Sequence, residues 1–411
     1  MSEFGKFAPE RVTLASATRP AKSPAFGSHQ AEQSRKPDQG PMTISSQNSE
    51  SAQGERLVVA MSGGVDSSVA AAILAAQGYE VIGVTMQLSG DASRCCSLED
   101  ADDARRVADV LGIRFFVANY GQQFREEVIE PFADAYLAGR TPIPCVTCNS
   151  KFKFEHLMAR AEVFDSKSVA TGHYARVETD AVSGNAKLFR ARDLRKDQTY
   201  FLFELTQAQL RRARFPLGEM SKDAVRELAR ELLLATADKP ESQEICFVPD
   251  GDYAAIVEAV RPEAKESVGE IVDESGKVLA EHKGIHHFTV GQRHGLGIDN
   301  AGKALYVNKI LPGSGRVVVG DRADLDSSTT IVERVNWISG VVPSEPVRAR
   351  VQIRYRHEGE LAMIHPMGNA TVRVEFESPV QAITPGQAAV FYDPENNEEV
   401  FGGGWIGDPV S

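Results

Sequence analysis

From residue 56 onward, short apolar runs alternate with stretches in which apolar side chains recur every three or four positions. An apolar run at 57–60 leads into a glycine turn. The spacing then predicts a helix from Asp66 to about Gln77, and a Gly–Tyr break precedes a second apolar run at 81–86. This β-turn-α-β order predicts a parallel sheet. Further on, LEDADDARRVADVLGI reads as an amphipathic helix ending at Gly112, RFFVAN as a strand and SKFKFEHLMARAEVF as another helix. SVATGHYARV reads as strand then turn, and SKDAVRELARELLL as a helix capped by Ser221.

The alternation persists to about residue 250 and then changes. GEIVDESGKVLAEHKGIHHFTVGQRHGLGI has short strands, tight glycine turns and few helix signals. From about 324 the segments TTIVERVNWIS, VRARVQIRYR, NATVRVEFES and QAAVFYD are β-rich and predict a small barrel or sandwich. Residues 1–54 are rich in Ser, Gln, Pro, Ala and Gly without lasting periodicity, and are expected to form a disordered tail in which Met42 is a second candidate start. The expected organisation is therefore tail (1–54), α/β domain (55–250), small mostly-β middle domain (251–322) and C-terminal β-barrel (323–411).

Composition narrows the class. No run of about 18 apolar residues occurs, so no membrane span is expected. The start lacks the apolar core of a signal peptide, which points to the cytoplasm. The net charge of −12 argues against nucleic-acid binding by the chain as a whole and leaves that role to local patches such as Arg348, Arg350, Arg354 and Arg356. Five cysteines (Cys95, Cys96, Cys145, Cys148 and Cys246) are too few for a disulfide scaffold in a chain of 411 residues. In a reducing compartment they are buried thiols, metal ligands or reactive groups, and Cys95 and Cys96 are read as ordinary buried thiols.

Chemistry first appears in AMSGGVDSS (60–68), between the first strand and helix. Gly63 and Gly64 allow close backbone approach, Ser62, Ser67 and Ser68 offer hydroxyls, and the helix N-terminus presents N–H groups to a phosphate. The sequence is neither a Walker A loop nor G-x-G-x-x-G. S-G-G-x-D-S is similar to the loop of the ATP pyrophosphatases, which release pyrophosphate while converting an oxygen into an AMP ester. That resemblance implies a Rossmann-like fold and ATP contacts from Ala60, Met61, Ser62, Gly63, Gly64, Val65, Asp66 and Ser67. Asp66 is then the expected partner of Mg²⁺ on the phosphates.

With PIPCVTCNSKFKF (142–154) and ESQEICFVPDGDY (241–253) added, the chain resembles the tRNA-specific 2-thiouridylase family. TGHYAR, KDQTYFL, HKGIHHFTVGQRHGLGI, RYR and TPGQ match in order, from about residue 56 to 408. The resemblance implies ATP-dependent 2-thiolation of the wobble uridine of tRNA, with adenylation of the uridine 2-oxygen and sulfur delivered as a persulfide on Cys246. Cys148 is the implied nucleophile, held beside the target base by a proline-stiffened loop, and the two would end as a transient disulfide that a reductant reopens. Lys151 and Lys153 are candidates for lowering the thiol pKa values. Met86 and Gly172 are expected in the adenosine pocket. Ile143, Pro144 and Cys145 are expected at the target base. His173, Lys196, Asp197, Gln198, Arg354, Tyr355 and Gln387 are expected at the tRNA anticodon loop. A cysteine desulfurase or relay protein is the implied sulfur donor.

One position departs from the family. Many members carry Asp three residues before the first catalytic cysteine, where this chain has Cys145. A thiol has a reference pKa of about 8.5 against about 3.9 for Asp. Cys145 is either a substitute acid/base or, with Cys148 and Cys246, a ligand of a [4Fe–4S] cluster. A zinc site lacks a second ligand pair. The competing function is a pyrophosphatase-type ligase or amidotransferase acting on a small molecule.

Overall fold

The computed structural model describes residues 53–88, 97–241, 245–248, 251–298 and 304–408. Cys95, Cys96 and all but the last two residues of the expected tail lie outside them.

The first layer is a parallel sheet of β1 (Arg56–Ala60), β2 (Glu80–Gln87), β3 (Arg114–Asn119) and β4 (Ser168–Ala170). A hairpin, β5 (Ala175–Thr179) and β6 (Ala186–Arg190), follows, and then the short β7 (Ala213–Arg214). The parallel order is β3-β2-β1-β4-β7, so β1 lies centrally and its loop opens at the C-terminal edge of the sheet, beside the point where the order reverses. Helix Val65–Ala76 buries nearly all its length because it is packed with Val, Ala, Ile and Leu. Helix Leu98–Leu111 ends as its sequence predicts. Ser97 and Asp100 form a reciprocal capping box, and Gly112 adopts the left-handed conformation at φ 65°.

The middle domain is a four-stranded sheet of β8 (Gly269–Asp273), β9 (Val278–His282), β10 (Tyr306–Leu311) and β11 (Arg316–Gly320), around Ile271, Val307, Val317 and Val319. The C-terminal domain comprises β12 (Asp326–Trp337), β13 (Val347–Gln352), β14 (Glu360–Gly368), β15 (Thr371–Gln381), β16 (Ala388–Tyr392) and β17 (Glu399–Ile406). These six pair antiparallel, and β12 also pairs with β17 (Val332↔Ile406), which closes the barrel. The β5–β6 hairpin adds to its outer edge through Leu188↔Val400 and Phe189↔Glu399. Part of the first domain's sequence thus completes the last domain's sheet.

Two local expectations are corrected. VRARVQIRYR is a strand only to Gln352. Arg354–Arg356 form a turn, because the Gln352 side-chain amide donates to the carbonyls of Arg354 (3.1 Å) and Tyr355 (2.7 Å). The proline-flanked cysteine pair is also helical. The helical stretch begins at Pro144, continues in π geometry through Cys148–His156 and ends as Leu157–Val163. Proline at the first helical position has its φ preset and gives up an N–H that would be unpaired there.

Candidate active site

The phosphate loop runs from the end of β1 into helix Val65–Ala76. Gly64 caps that helix without any side-chain bond, so the first-turn N–H groups remain directed at the loop's concavity. The loop is held from inside. Ser62 N donates to Ser67 Oγ (3.1 Å), Ser68 Oγ donates to Gly64 O (2.8 Å), and Thr85 Oγ1 donates to Met61 O (2.6 Å). Gly63 has φ 71°, and a Cβ there would run into the backbone carbonyl of Asp100. Gly172 meets the loop from the opposite side. A Cβ on it would stand 2.6 Å from Ser67 N and 2.7 Å from the Asp66 carbonyl carbon, so only glycine lets the two backbones touch. Met86 is buried at the end of β2, in the core between sheet and helices.

Asp66 is bound differently from expectation. Lys222 Nζ donates to its two carboxylate oxygens at 2.7 and 2.8 Å, and Tyr174 Oη donates at 2.8 Å. Lys222 also pairs with Glu241 (3.0 Å), which Lys196 reaches at 2.6 Å. Burial pushes the Glu241 carboxyl up, but Lys196 and Lys222 hold it below the usual range on balance. Burial and the adjacent Asp66 carboxylate raise the Tyr174 hydroxyl, which therefore remains a donor. An ammonium fills the cation position at Asp66, so the carboxylate does not fit the role of a Mg²⁺ ligand in this arrangement.

Lys222, Glu241 and Tyr174 were not singled out by sequence. Lys222 follows a helix-capping serine, where a solvated lysine is the ordinary reading, yet its side chain is only 7% exposed. TGHYAR did contain a signal, since Tyr174 follows the Gly172 contact directly.

The cysteine helix is tied to this loop through His173. Its Nδ1 lies 2.7 Å from Thr171 Oγ1, and its Nε2 lies 3.4 Å from Lys153 Nζ. Because an ammonium can only donate, Nε2 accepts and Nδ1–H donates. Burial, followed by the nearby Lys153 charge, holds the imidazole well below its usual pKa, so His173 is neutral. Lys151 turns instead to Glu155 at 3.0 Å, which raises its pKa.

Cys145 and Cys148 lie in the first turns of the helical stretch, both half-buried, and Cys246 is half-buried as well. Cys148 and Cys246 border the same apolar core. Phe247 packs edge-on against Phe124 (5.8 Å) and Phe132 (5.1 Å), and Phe124 packs against Phe152 (5.3 Å), one turn beyond Cys148. Aromatic contacts therefore join the Cys246 segment to the Cys148 helix. No three ligand atoms from Cys145, Cys148 and Cys246 fall within 4.8 Å of one another, which leaves no place for a single-ion site.

The C-terminal barrel grips the strap before this helix. Gln387 Nε2 donates to Thr141 O (2.9 Å), Thr141 N donates to Pro385 O (2.8 Å), and Arg140 pairs with Asp408 (2.6 Å). Ile143 is half-buried against the core, and Pro144 is buried. Asn149, next to Cys148, is buried and donates to Phe201 O (3.1 Å). The Phe201 ring lies 4.6 Å from that of Tyr355. Arg354, Tyr355 and Arg356 face solvent, whereas Arg348 is paired with Glu377 (2.8 Å). Asp197 is interior, accepting from Arg190 (2.8 Å) and Thr199 (2.7 Å), with burial raising its pKa against the Arg190 charge. The Gln198 side chain accepts from Tyr174 N at 3.0 Å.

Comparison with known proteins agrees with this layout. Family models described as the tRNA methyl transferase HUP domain, the tRNA methyl transferase PRC-barrel domain and the aminomethyltransferase beta-barrel domain match residues 55–250, 258–321 and 327–406. The tRNA-specific 2-thiouridylase MnmA of Solibacter usitatus is 49% identical, covering 85% of this chain and 98% of that relative. Its namesake from Rhodospirillum rubrum is 50% identical over 86% of this chain and 96% of its own. Among solved structures, a 4-thiouridine synthetase–RNA complex with bound ATP aligns over 51% of each chain, at 17% identity and a TM-score of 0.33.

Proposed function

The chain belongs to the tRNA-specific 2-thiouridylase family, and from that premise we propose that it is an ATP-dependent tRNA sulfurtransferase acting on the wobble uridine. The observation that carries this reading is the junction at Gly172–Tyr174. Gly172 abuts the phosphate loop, His173 meets Lys153 of the cysteine helix, and Tyr174 bonds Asp66. A nucleotide-activating loop and a cysteine helix joined by three consecutive residues suit one reaction better than two separate ones.

The helix N-terminus at Val65 receives the ATP phosphates. The uridine 2-oxygen attacks the α-phosphorus, the bond to the β-phosphate oxygen breaks, and pyrophosphate departs. The terminal sulfur of a Cys246 persulfide then attacks C2 and expels AMP. The Cys148 thiolate attacks the Cys246 sulfur, which leaves 2-thiouridine and a Cys148–Cys246 disulfide for a thiol reductant to reopen. Both cysteines bordering one apolar core supports the pairing. In this reading Phe201, Tyr355, Arg354 and Arg356 face the anticodon loop, where aromatic and basic groups suit splayed bases and phosphates. The charge on Lys222 assists at the loop, and no step runs through Mg²⁺. The persulfide comes from a desulfurase or relay protein.

Cys145 supports a second reading, because it lies three residues before Cys148 on the same helical stretch. Cys145, Cys148 and Cys246 would hold a [4Fe–4S] cluster, which would supply an open iron for sulfide. Anaerobic purification with iron and sulfide analysis separates the two readings. Near-stoichiometric iron lost in Cys145→Ala favours the cluster, and its absence favours the persulfide. For the main reading, Cys148→Ser and Cys246→Ser should retain ATP and tRNA binding but lose thiolation. Thiolation retained in either variant overturns it, as does pyrophosphate release that a small metabolite stimulates and tRNA does not.

A further inference from the structure

Away from these residues, helix Tyr253–Val260 meets the turn Ile285–His287 where the first domain gives way to the middle sheet. Glu258 points from the helix toward His286 and His287. One ring nitrogen from each histidine and one carboxylate oxygen all lie within 4.8 Å of one another, the single such trio of His, Cys, Asp or Glu among the described residues. Glu258 Oε1 stands 3.4 Å from His286 Nε2 and 3.5 Å from His287 Nε2.

Those separations are long for hydrogen bonds, whose N···O distance centres on about 2.9–3.0 Å. They match ligands around a metal. With metal–ligand bonds of about 2.0–2.1 Å, the edge of a coordination tetrahedron is about 3.3–3.4 Å. The polar groups are also poorly served otherwise. His287 Nε2, which faces Glu258, is buried with no hydrogen-bond partner, and the completely buried His286 meets Glu258 through Nε2 only at 3.4 Å. The two rings lie 4.3 Å apart and tilted by 38°. His282, four residues before His286, serves as a contrast. Its Nδ1 accepts from Gly284 N and its Nε2 meets Gly315 O, each at 3.0 Å, so it is fully used within the fold.

We propose that Glu258, His286 and His287 form a binding site for a divalent transition metal of the zinc class, with solvent completing the coordination. Two imidazoles and a carboxylate are the donor set such borderline ions prefer. His287, 35% exposed, leaves a side open for exchange. The ion clasps helix Tyr253–Val260 to the middle domain, reinforcing the bond from Tyr253 Oη to His287 O (3.3 Å). It fixes the helix that leads into the middle domain against that domain's own turn and takes no part in sulfur transfer.

The test uses full-length protein stripped with a chelator and titrated with Co²⁺ and Zn²⁺. One equivalent of Co²⁺ should bind at micromolar concentration, giving ligand-field bands without thiolate-to-cobalt charge-transfer absorption. Zn²⁺ should displace it and raise the melting temperature. Glu258→Gln and His287→Gln should lose that equivalent, while Cys148→Ser keeps it. His287→Gln is the safeguard, since a half-exposed side chain can change without unfolding the domain, as circular dichroism would verify. No cobalt binding, a thiolate spectrum, or unchanged binding in folded His287→Gln overturns the proposal.

Discussion

Replacing Lys222 with methionine removes a nearly buried ammonium while keeping most of its aliphatic length. Its donors reach Asp66 Oδ1 at 2.7 Å, Asp66 Oδ2 at 2.8 Å and Glu241 Oε1 at 3.0 Å. Stripping one partner from a deeply buried ion pair costs about 3–5 kcal/mol. Neither carboxylate is deep enough for that full value, as Asp66 is 32% and Glu241 27% exposed. Each also keeps another donor, Tyr174 for Asp66 and Lys196 for Glu241. Discounted for solvent screening, the expected loss is about 2–3 kcal/mol, or roughly 30- to 150-fold in the unfolding equilibrium. Urea unfolding followed by circular dichroism should show a lower midpoint at an unchanged slope. A cycle with Asp66→Asn and the double variant should give a coupling of at least about 1 kcal/mol. ATP binding should weaken in step, because Asp66 sits in the first turn that faces the phosphates. A Lys222→Met effect below about 0.5 kcal/mol, or strict additivity in the cycle, would refute the idea that this pair sets the loop.

Three further outcomes follow from the same geometry. Neutral His173 has its folded pKa below the unfolded value of about 6.5, so its stabilising contribution is complete above that pH and is lost as pH falls through and below it. His173→Gln should flatten the acid-side fall in urea midpoint, and an unchanged slope would count against the neutral assignment. In Gly172→Ala the new methyl group meets Ser67 N at 2.6 Å, which should destabilise by about 1–3 kcal/mol and slow tRNA-dependent pyrophosphate release; normal ATP binding would show that the contact is not needed. Gln387→Leu should lose its bond to Thr141 O, costing about 1 kcal/mol, and should slow thiolation more than it weakens ATP binding; equal effects on both would argue that the barrel does not position the cysteine strap.

Much of the α/β fold was legible because its determinants are local. Gly112 and Ser221 announce helix ends by chemistry that acts within a few residues. The phosphate loop was legible for the same reason. Lys222 was not, since its burial depends on Asp66, 156 positions away, and nothing near Ser221 signals it. Arg354–Arg356 looked like a strand continuation because alternation cannot show that the Gln352 amide turns back to bond the next carbonyls. The cysteine pair looked like a loop because two prolines suggest one, whereas Pro144 is the first residue of a helix. The Glu258–histidine trio joins an α-helix to a turn 28 positions further on, so no single motif spans it.

The hairpin that extends the barrel's sheet at its outer edge has a consequence for how the chain is made. Lys187 and Glu399, which meet across β6 and β17, are 212 positions apart. At about 5–20 residues per second, the ribosome needs on the order of 10–40 s to deliver the second strand after the first. During that interval the outer edge of β6 presents unpaired backbone groups, the kind of edge that recruits strands from other chains. A protein cut after the α/β domain would keep that edge open permanently. Soluble production of the first domain alone should therefore require removing or capping residues 175–190.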